Sequence, residues 1–178
     1  MHPERRLFAA INVVGGVAVA GSYAHGILTH PATRREVWGG VPDCMRPFYV
    51  VSMLLAAVGY FAFTGFVWVH TAPERVRIAG RFGFGVLNAL YVCILAPSAL
   101  WMPLTFAMLE SPGPGLWAAI RLVLAAVGLG SLGLLVALLT LRPREPAWAH
   151  ALAALGCAAF SVQTALLDAL LWPAYFPR

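Results

Sequence analysis

The stretch that decides the fold is "LYVCILAPSALWMPLTFAM", residues 90–108. It is long and apolar enough to cross a bilayer as a helix. Pro97, Ser98, Trp101 and Pro103 nevertheless fall within two turns of it. Each proline removes a hydrogen bond inside the helix, and the freed carbonyls need partners that lipid cannot supply. We therefore predict that this helix forms the wall of an enclosed site rather than a lipid anchor.

The composition of the whole chain points to the same environment. Of its 178 residues, 61% are hydrophobic and 11% are charged, whereas soluble domains are about 45–50% apolar and about 25% charged. The net charge of +5 comes from arginine, since the chain has no lysine. Arginines in loops between apolar runs are typical of membrane topology signals, so we predict membrane lipid and not nucleic acid as a partner.

Five apolar runs are long enough to span a membrane, which takes about 20 residues. They cover residues 7–29, 47–69, 82–109, 116–140 and 148–172. Uniform runs of this length favour helices over a closed barrel. The prediction is an all-α fold, an integral membrane bundle of five transmembrane helices that forms a single domain over residues 1–178. Loop 30–46 contains Trp38 and two prolines, and Pro47 follows it directly; we predict that it acts as a lid.

The arginines at the ends of the spans predict the orientation. One set of ends carries Arg5, Arg6, Arg75, Arg77, Arg81, Arg142 and Arg144. The other set carries Arg34, Arg35, Arg46 and Arg178. Cytoplasmic loops carry the excess of positive charge. The N-terminus is therefore predicted to lie in the cytoplasm and the C-terminus outside.

Polar and aromatic residues recur at helical spacing along the spans, and such faces usually point into the bundle. The third span offers Asn88, Tyr91, Leu95, Ser98, Met102 and Thr105, with Trp101 at the edge of that face. The first offers Asn12, Gly16, Val19, Tyr23 and Gly26; the second Tyr49, Met53, Ala56, Tyr60 and Phe63; the fifth Ser161, Thr164, Asp168 and Trp172 or Tyr175. These faces fit either helix packing or the lining of an apolar ligand pocket.

Two charged residues lie at similar depth near the outer ends of their spans, Arg121 in the fourth and Asp168 in the fifth. They are predicted either to pair inside the bundle or to extend to the interface. His25 lies near the outer end of the first span, and His70 and His150 lie at inner ends, where the two could meet. No catalytic set or metal-ligand spacing stands out, so no catalytic residue and no metal site is assigned, and enzymatic activity is left open.

In the order of these features, the chain resembles the TspO/translocator protein family, the tryptophan-rich sensory proteins related to the peripheral benzodiazepine receptor. Six residues stand in the register of that family's third helix: Leu90, Tyr91, Leu95, Trp101, Pro103 and Phe106. "GLWAAIRLVLAAVG" (115–128) is similar to the start of its fourth helix, and "AAFS" (158–161) to part of its fifth. Ile94 and Ser98 stand where the family has glutamine and asparagine.

The resemblance implies an apolar ligand, either a tetrapyrrole such as a porphyrin or a sterol-like molecule, held among the helices for transport, sensing or stress regulation. No cofactor is required, although porphyrin or haem could be the ligand. Stacking is expected on Trp38, Tyr49, Tyr60, Tyr91 and Trp101, and orientation from His25, Ser98, Arg121 and Asp168. Arg121 would suit a ligand carboxylate. Leu171, Tyr175 and Arg178 are similar in place to the family's sterol-contact motif, although the interface also favours such residues.

An alternative is a structural or electron-transfer membrane subunit, in which His70 and His150 hold a b-type haem between them. Small residues such as Gly16 and Gly130 would also permit a homodimer, although they serve packing within one chain equally well.

Overall fold

Five long helices make up the computed structural model, which describes residues 2–176. They are α1 (Pro3–Thr29), α2 (Arg46–His70), α3 (Gly85–Glu110), α4 (Pro114–Thr140) and a fifth span, Ala147–Tyr175. Each is long and apolar enough to cross a membrane. The predicted all-α, five-helix membrane fold is therefore confirmed, and the chain is a multi-pass membrane protein.

The predicted interior face of α3 is confirmed by burial. Asn88, Tyr91, Leu95, Met102 and Thr105 are all buried. The helix continues through Pro97 and Pro103. Ser98 lines a cavity, and among the described residues its hydroxyl bonds to neither of the carbonyls that the two prolines free.

The helices pack in the order α1, α3, α4, fifth span, α2. The helix α2 packs closely against the fifth span, because two glycines face each other there. A Cβ added to Gly59 would lie 2.3 Å from the carbonyl oxygen of Gly156. Small residues of this kind let membrane helices approach backbone to backbone. Between α1 and α2, by contrast, the Tyr60 hydroxyl donates to Asn12 Oδ1 at 2.6 Å beside an open groove.

The fifth span is not a regular α-helix. It begins as α5 (Ala147–Ser161), continues as a π-helical segment (Val162–Leu171), and ends in the short helix α6 (Trp172–Tyr175). Residues five apart lie about 140° apart around an α-helix with 3.6 residues per turn, but they come close to alignment in a π-helix. The segment therefore brings Gln163 and Asp168 to one face, and Gln163 Nε2 donates to Asp168 Oδ1 at 2.8 Å.

The first loop closes one end of the bundle, which we call the first-loop end. The indole N–H of Trp172 donates to the Val37 carbonyl at 2.9 Å, and the N–H of Gly40 donates to the Tyr175 carbonyl at 2.8 Å. Gly39 adopts a φ of 57°, and a Cβ there would meet the Phe176 backbone at 3.0 Å. The loop is thus fastened to the end of the fifth span.

The opposite end carries most of the arginines. Backbone hydrogen bonds join Arg77 and Arg142 in both directions, at 2.9 and 2.8 Å, and so tie the loop after α2 to the loop after α4. The structure places these two arginine-bearing loops at one end of the bundle. Which end faces the cytoplasm stays a prediction.

One hydrogen bond between buried hydroxyls joins α4 to the π-helical segment. Thr164 Oγ1 donates to Ser131 Oγ at 2.7 Å, and Ser131 donates to its own helix at Gly128. Interhelical hydrogen bonds in membrane proteins contribute about 0.6 kcal/mol on average. We expect Thr164→Val to lower the free energy of unfolding by about that amount, measured in mixed micelles. Thr140→Val, whose hydroxyl donates to its own helix at Val136, is the control; an equal loss in both variants would contradict the expectation.

Candidate ligand-binding cavity

Two adjoining cavities lie inside the first-loop end of the bundle. The inner cavity has a volume of about 290 Å³ and the mouth cavity about 190 Å³. The inner cavity is lined by Val19, Tyr23, Met53, Ala56, Ala57, Ser98, Trp101, Leu124, Val127, Phe160, Gln163, Thr164 and Asp168. The mouth cavity is lined by Tyr23, Ile27, Arg34, Val37, Trp38, Tyr49, Met53, Trp101, Met102, Asp168 and Trp172. Tyr23, Met53, Trp101 and Asp168 belong to both.

Trp101 is the central wall of this pair of cavities. Its ring centroid lies 5.7 Å from that of Tyr23 and 5.8 Å from that of Trp172. The indole Nε1 is buried and has no hydrogen-bond partner among the described residues. Buried Trp N–H groups usually find a partner. This free donor therefore points to a ligand with an acceptor atom.

Gln163 and Asp168 form the polar corner of the inner cavity. The amide donates to the carboxylate at 2.8 Å, while its own oxygen, Oε1, is buried without a partner. No arginine or histidine nitrogen of residues 2–176 forms an ion pair with Asp168. This corner thus presents hydrogen-bond acceptors for which the described part of the chain supplies no donor.

The mouth cavity is closed by the first loop and the end of the fifth span. Trp38 meets Tyr49 edge to face, with ring centroids 6.1 Å apart. Trp172 is 4% exposed and contacts Trp117 and Phe176 as well as Trp101. The predicted lid loop therefore supplies part of the cavity wall.

The structure brings together five of the predicted site residues and separates the others. Trp38, Tyr49, Ser98, Trp101 and Asp168 line the two cavities. Tyr60 lies outside them, in a lateral groove described below. Tyr91 is fully buried, and its hydroxyl lies 2.9 Å from that of Thr64, so it belongs to the packed core.

Arg121 and His25 are not part of the cavity, contrary to the sequence-based hypothesis. Both side chains are exposed on the outside of the bundle. The predicted pairing of Arg121 with Asp168 is not formed. Arg121 directly follows the buried Ile120 on α4, and the rotation of that helix leaves the Arg121 side chain exposed. A long side chain at this depth can reach the interface instead.

The C-terminal candidates lie beside the mouth cavity rather than in it. Leu171 is partly buried, and Tyr175 is exposed, with its hydroxyl 3.7 Å from Met45 Sδ. Arg178, the third residue of the sterol-contact pattern, lies outside the described residues. The pattern as a whole thus stays a prediction.

His70 and His150, the two histidines of the haem alternative, both lie close to the ring of Phe66. Phe66 lies 5.9 Å from His70 and 5.5 Å from His150 between ring centroids. His150 Nε2 is 2.9 Å from the Leu138 carbonyl oxygen. Because that nitrogen already has a hydrogen-bond partner, the geometry gives the haem alternative no support. Within residues 2–176, no three His, Cys, Asp or Glu side chains group as a metal site.

A lateral groove of about 790 Å³ runs between α1 and α2 on the lipid-facing surface. Exposed apolar residues such as Val13, Val17 and Phe61 form its sides. Val19, Ala57, Ser98 and Phe160 line both this groove and the inner cavity. The inner cavity therefore adjoins a surface that faces lipid.

The cavity also contains residues that the sequence-based set of candidates omitted. Tyr23 and Trp172 line the cavities. Both belong to the predicted polar faces of their spans, but neither is among the predicted ligand contacts. Gln163 was missed, because its five-residue spacing from Asp168 places it off the same face of an α-helix. The side-chain amide of Gln163 lies in the middle of an apolar span. Polar groups at such positions usually mark interior sites, and this signal could have identified it.

Comparison with known proteins adds no relative: no protein-family model, no curated protein and no solved structure matches the chain. Three features of the cavity itself favour a ligand site at this position. They are its volume, its aromatic lining, and the buried polar atoms that have no partner among residues 2–176.

Proposed function

We propose that the chain is a TspO-like membrane protein that binds an apolar small molecule in the joined inner and mouth cavities. The expected classes are tetrapyrrole and sterol-like ligands, and the role is their transport, sensing or stress-linked regulation. The observation that carries the proposal is Trp101, whose ring walls both cavities while its buried N–H has no partner.

The lining supports an apolar ligand with a few fixed polar contacts. Ligand pockets are mostly apolar and aromatic, with a small number of polar groups that set orientation. Here the aromatic groups are Tyr23, Tyr49 and Trp101, and the polar ones are Gln163 and Asp168. The two volumes, about 290 and 190 Å³, are small beside the range of about 300–1,000 Å³ for ligand pockets. A planar ligand of tetrapyrrole size would have to occupy both.

The sequence resemblance supports the same site. Trp101 is part of the stretch that resembles the third helix of the TspO family, and the lid loop supplies Trp38. Ser98, which stands where that family has asparagine, lines the inner cavity. Two of the positions compared with the family's third helix, Ser98 and Trp101, thus lie on the cavity wall in this chain.

Titration of the detergent-purified protein with protoporphyrin IX tests this proposal, with quenching of tryptophan fluorescence as the readout. Cholesterol is tested through its displacement of the bound porphyrin. We expect Trp101→Ala to weaken binding at least about tenfold, because large aromatic contacts contribute more than the 1.4 kcal/mol that a factor of ten represents. Trp148→Ala is the control, since Trp148 is 70% exposed and lies at the other end of the bundle. Equal affinity of the two variants and the parent would overturn the assignment of Trp101.

A further inference from the structure

We propose that the inner cavity selects ligands that carry a cationic nitrogen, a protonated amine attached to an aromatic or fused-ring body. Asp168 would bind the nitrogen, and the surrounding rings would cover it. This inference rests on the proposed function, because it names the chemistry of the ligand for the same cavity. It also reverses the charge preference expected from Arg121, whose side chain lies outside the cavity.

The charge balance of the inner cavity favours a cationic ligand. Asp168 is the one Asp, Glu, Arg or His side chain lining the inner cavity among the described residues. Arg34 lines the mouth and is exposed, and Arg46 forms an ion pair with Asp43 at 2.9 Å. A carboxylate at membrane depth is costly unless it is paired. A bound cation would supply the partner that residues 2–176 do not.

The polar corner of the cavity presents more hydrogen-bond acceptors than donors. An ionised carboxylate is an acceptor with about four lone-pair sites, of which Gln163 Nε2 fills one. Gln163 Oε1 is a second buried acceptor, and it has no partner. A primary ammonium carries three donors and no acceptor. It could therefore satisfy the Asp168 and Gln163 acceptors together, whereas a ligand carboxylate would add acceptors to a corner that already has too many.

Aromatic side chains surround that polar corner. Tyr23 and Trp101 line both cavities together with Asp168, and Trp38, Tyr49 and Trp172 continue the lining in the mouth. Ring faces attract cations, most strongly where water is excluded. The apolar body of the ligand would lie against the same rings. The free indole N–H of Trp101 would bond to an acceptor on that body.

Three naphthalene derivatives of nearly equal shape test the inference: 2-naphthylmethylamine, 2-naphthylmethanol and 2-naphthoic acid. Binding to the detergent-solubilised full chain is measured at neutral pH by isothermal titration calorimetry. We expect the amine to bind at least about tenfold more tightly than the alcohol, and the carboxylate more weakly than either. An alcohol that binds as tightly as the amine would overturn the inference without use of any variant.

Asp168→Asn assigns the preference to one residue. In this variant the amine should lose its advantage and bind no more tightly than the alcohol. Asp43→Asn is the matched control, because it removes an acid whose side chain is 89% exposed in the first loop. A preference for the amine that survives Asp168→Asn would overturn the role of Asp168.

The same data separate this inference from the proposed function. Suppose that the alcohol binds, that Trp101→Ala weakens its binding, and that the amine binds no more tightly. That result would support the apolar cavity of the proposed function and overturn the inference that it selects cationic ligands. Failure of all three compounds, together with failure of protoporphyrin IX, would reject both.

Discussion

Replacement of Gly59 by valine should disrupt the packing of α2 on the fifth span and so unfold the bundle under mild conditions. A Cβ at this position would lie 2.3 Å from the Gly156 carbonyl oxygen and 2.9 Å from Gly156 Cα. Both are backbone atoms, so neither can rotate away. Overpacking costs about 1–3 kcal/mol where side chains can adjust; we expect at least about 3 kcal/mol here, because the helices themselves must separate.

Gly65→Val on the same helix is the control for the change of residue type. A Cβ there meets nothing within 4 Å. Thermal unfolding in detergent, followed by circular dichroism and by size-exclusion chromatography, should show a large fall in midpoint for Gly59→Val and little change for Gly65→Val. Equal midpoints would mean that the close contact between Gly59 and Gly156 does not govern assembly of these helices.

Replacement of Trp172 by alanine should release the first loop and enlarge the mouth cavity. The side chain is buried among Trp101, Trp117 and Phe176, and its N–H holds the Val37 carbonyl at 2.9 Å. Truncation of a buried tryptophan costs about 3–5 kcal/mol. We expect that loss in the free energy of unfolding, and faster tryptic cleavage after Arg34 and Arg35 in the native protein.

Two companion variants separate packing from the hydrogen bond. Trp172→Phe keeps most of the ring contacts and loses the bond to Val37, which should cost about 0.5–1.5 kcal/mol and speed cleavage of the loop. Trp148→Ala removes an exposed tryptophan and should change neither quantity. Unchanged cleavage in Trp172→Ala would show that the loop does not depend on the fifth span.

The sequence predicted the spans and the buried face of α3 because both follow from simple periodicity. The spans begin and end close to the predicted residues, and Asn88, Tyr91 and Met102 are buried as their spacing indicated. The third helix begins at Gly85 rather than residue 82, because Ile78 and Phe82 form a backbone-bonded turn before it. Such a turn interrupts an apolar run without changing its hydropathy.

The sequence could not predict which candidate side chains meet in the cavity. That depends on helix rotation, which packing sets. Arg121 and Asp168 occupy similar depths in their spans by sequence position. The rotation of α4 nevertheless leaves Arg121 exposed, whereas Asp168 lines the cavity. The π-helical segment shifts the register of the fifth span, so that Gln163 and Asp168 share a face. An α-helical pattern, applied along the whole span, assigns these residues to different faces.

The order in which the helices pack has a consequence for synthesis of the chain. The helix α1 packs on α3, and α2 packs on the fifth span, which is made after the other four. Chains emerge from the ribosome N-terminus first, at about 5–20 residues per second. The glycine face of α2 around Gly59 therefore has no partner until Gly156 has been inserted. The nascent protein must hold its second helix unassembled in lipid until then, and insertion of the fifth span completes the packing of α2.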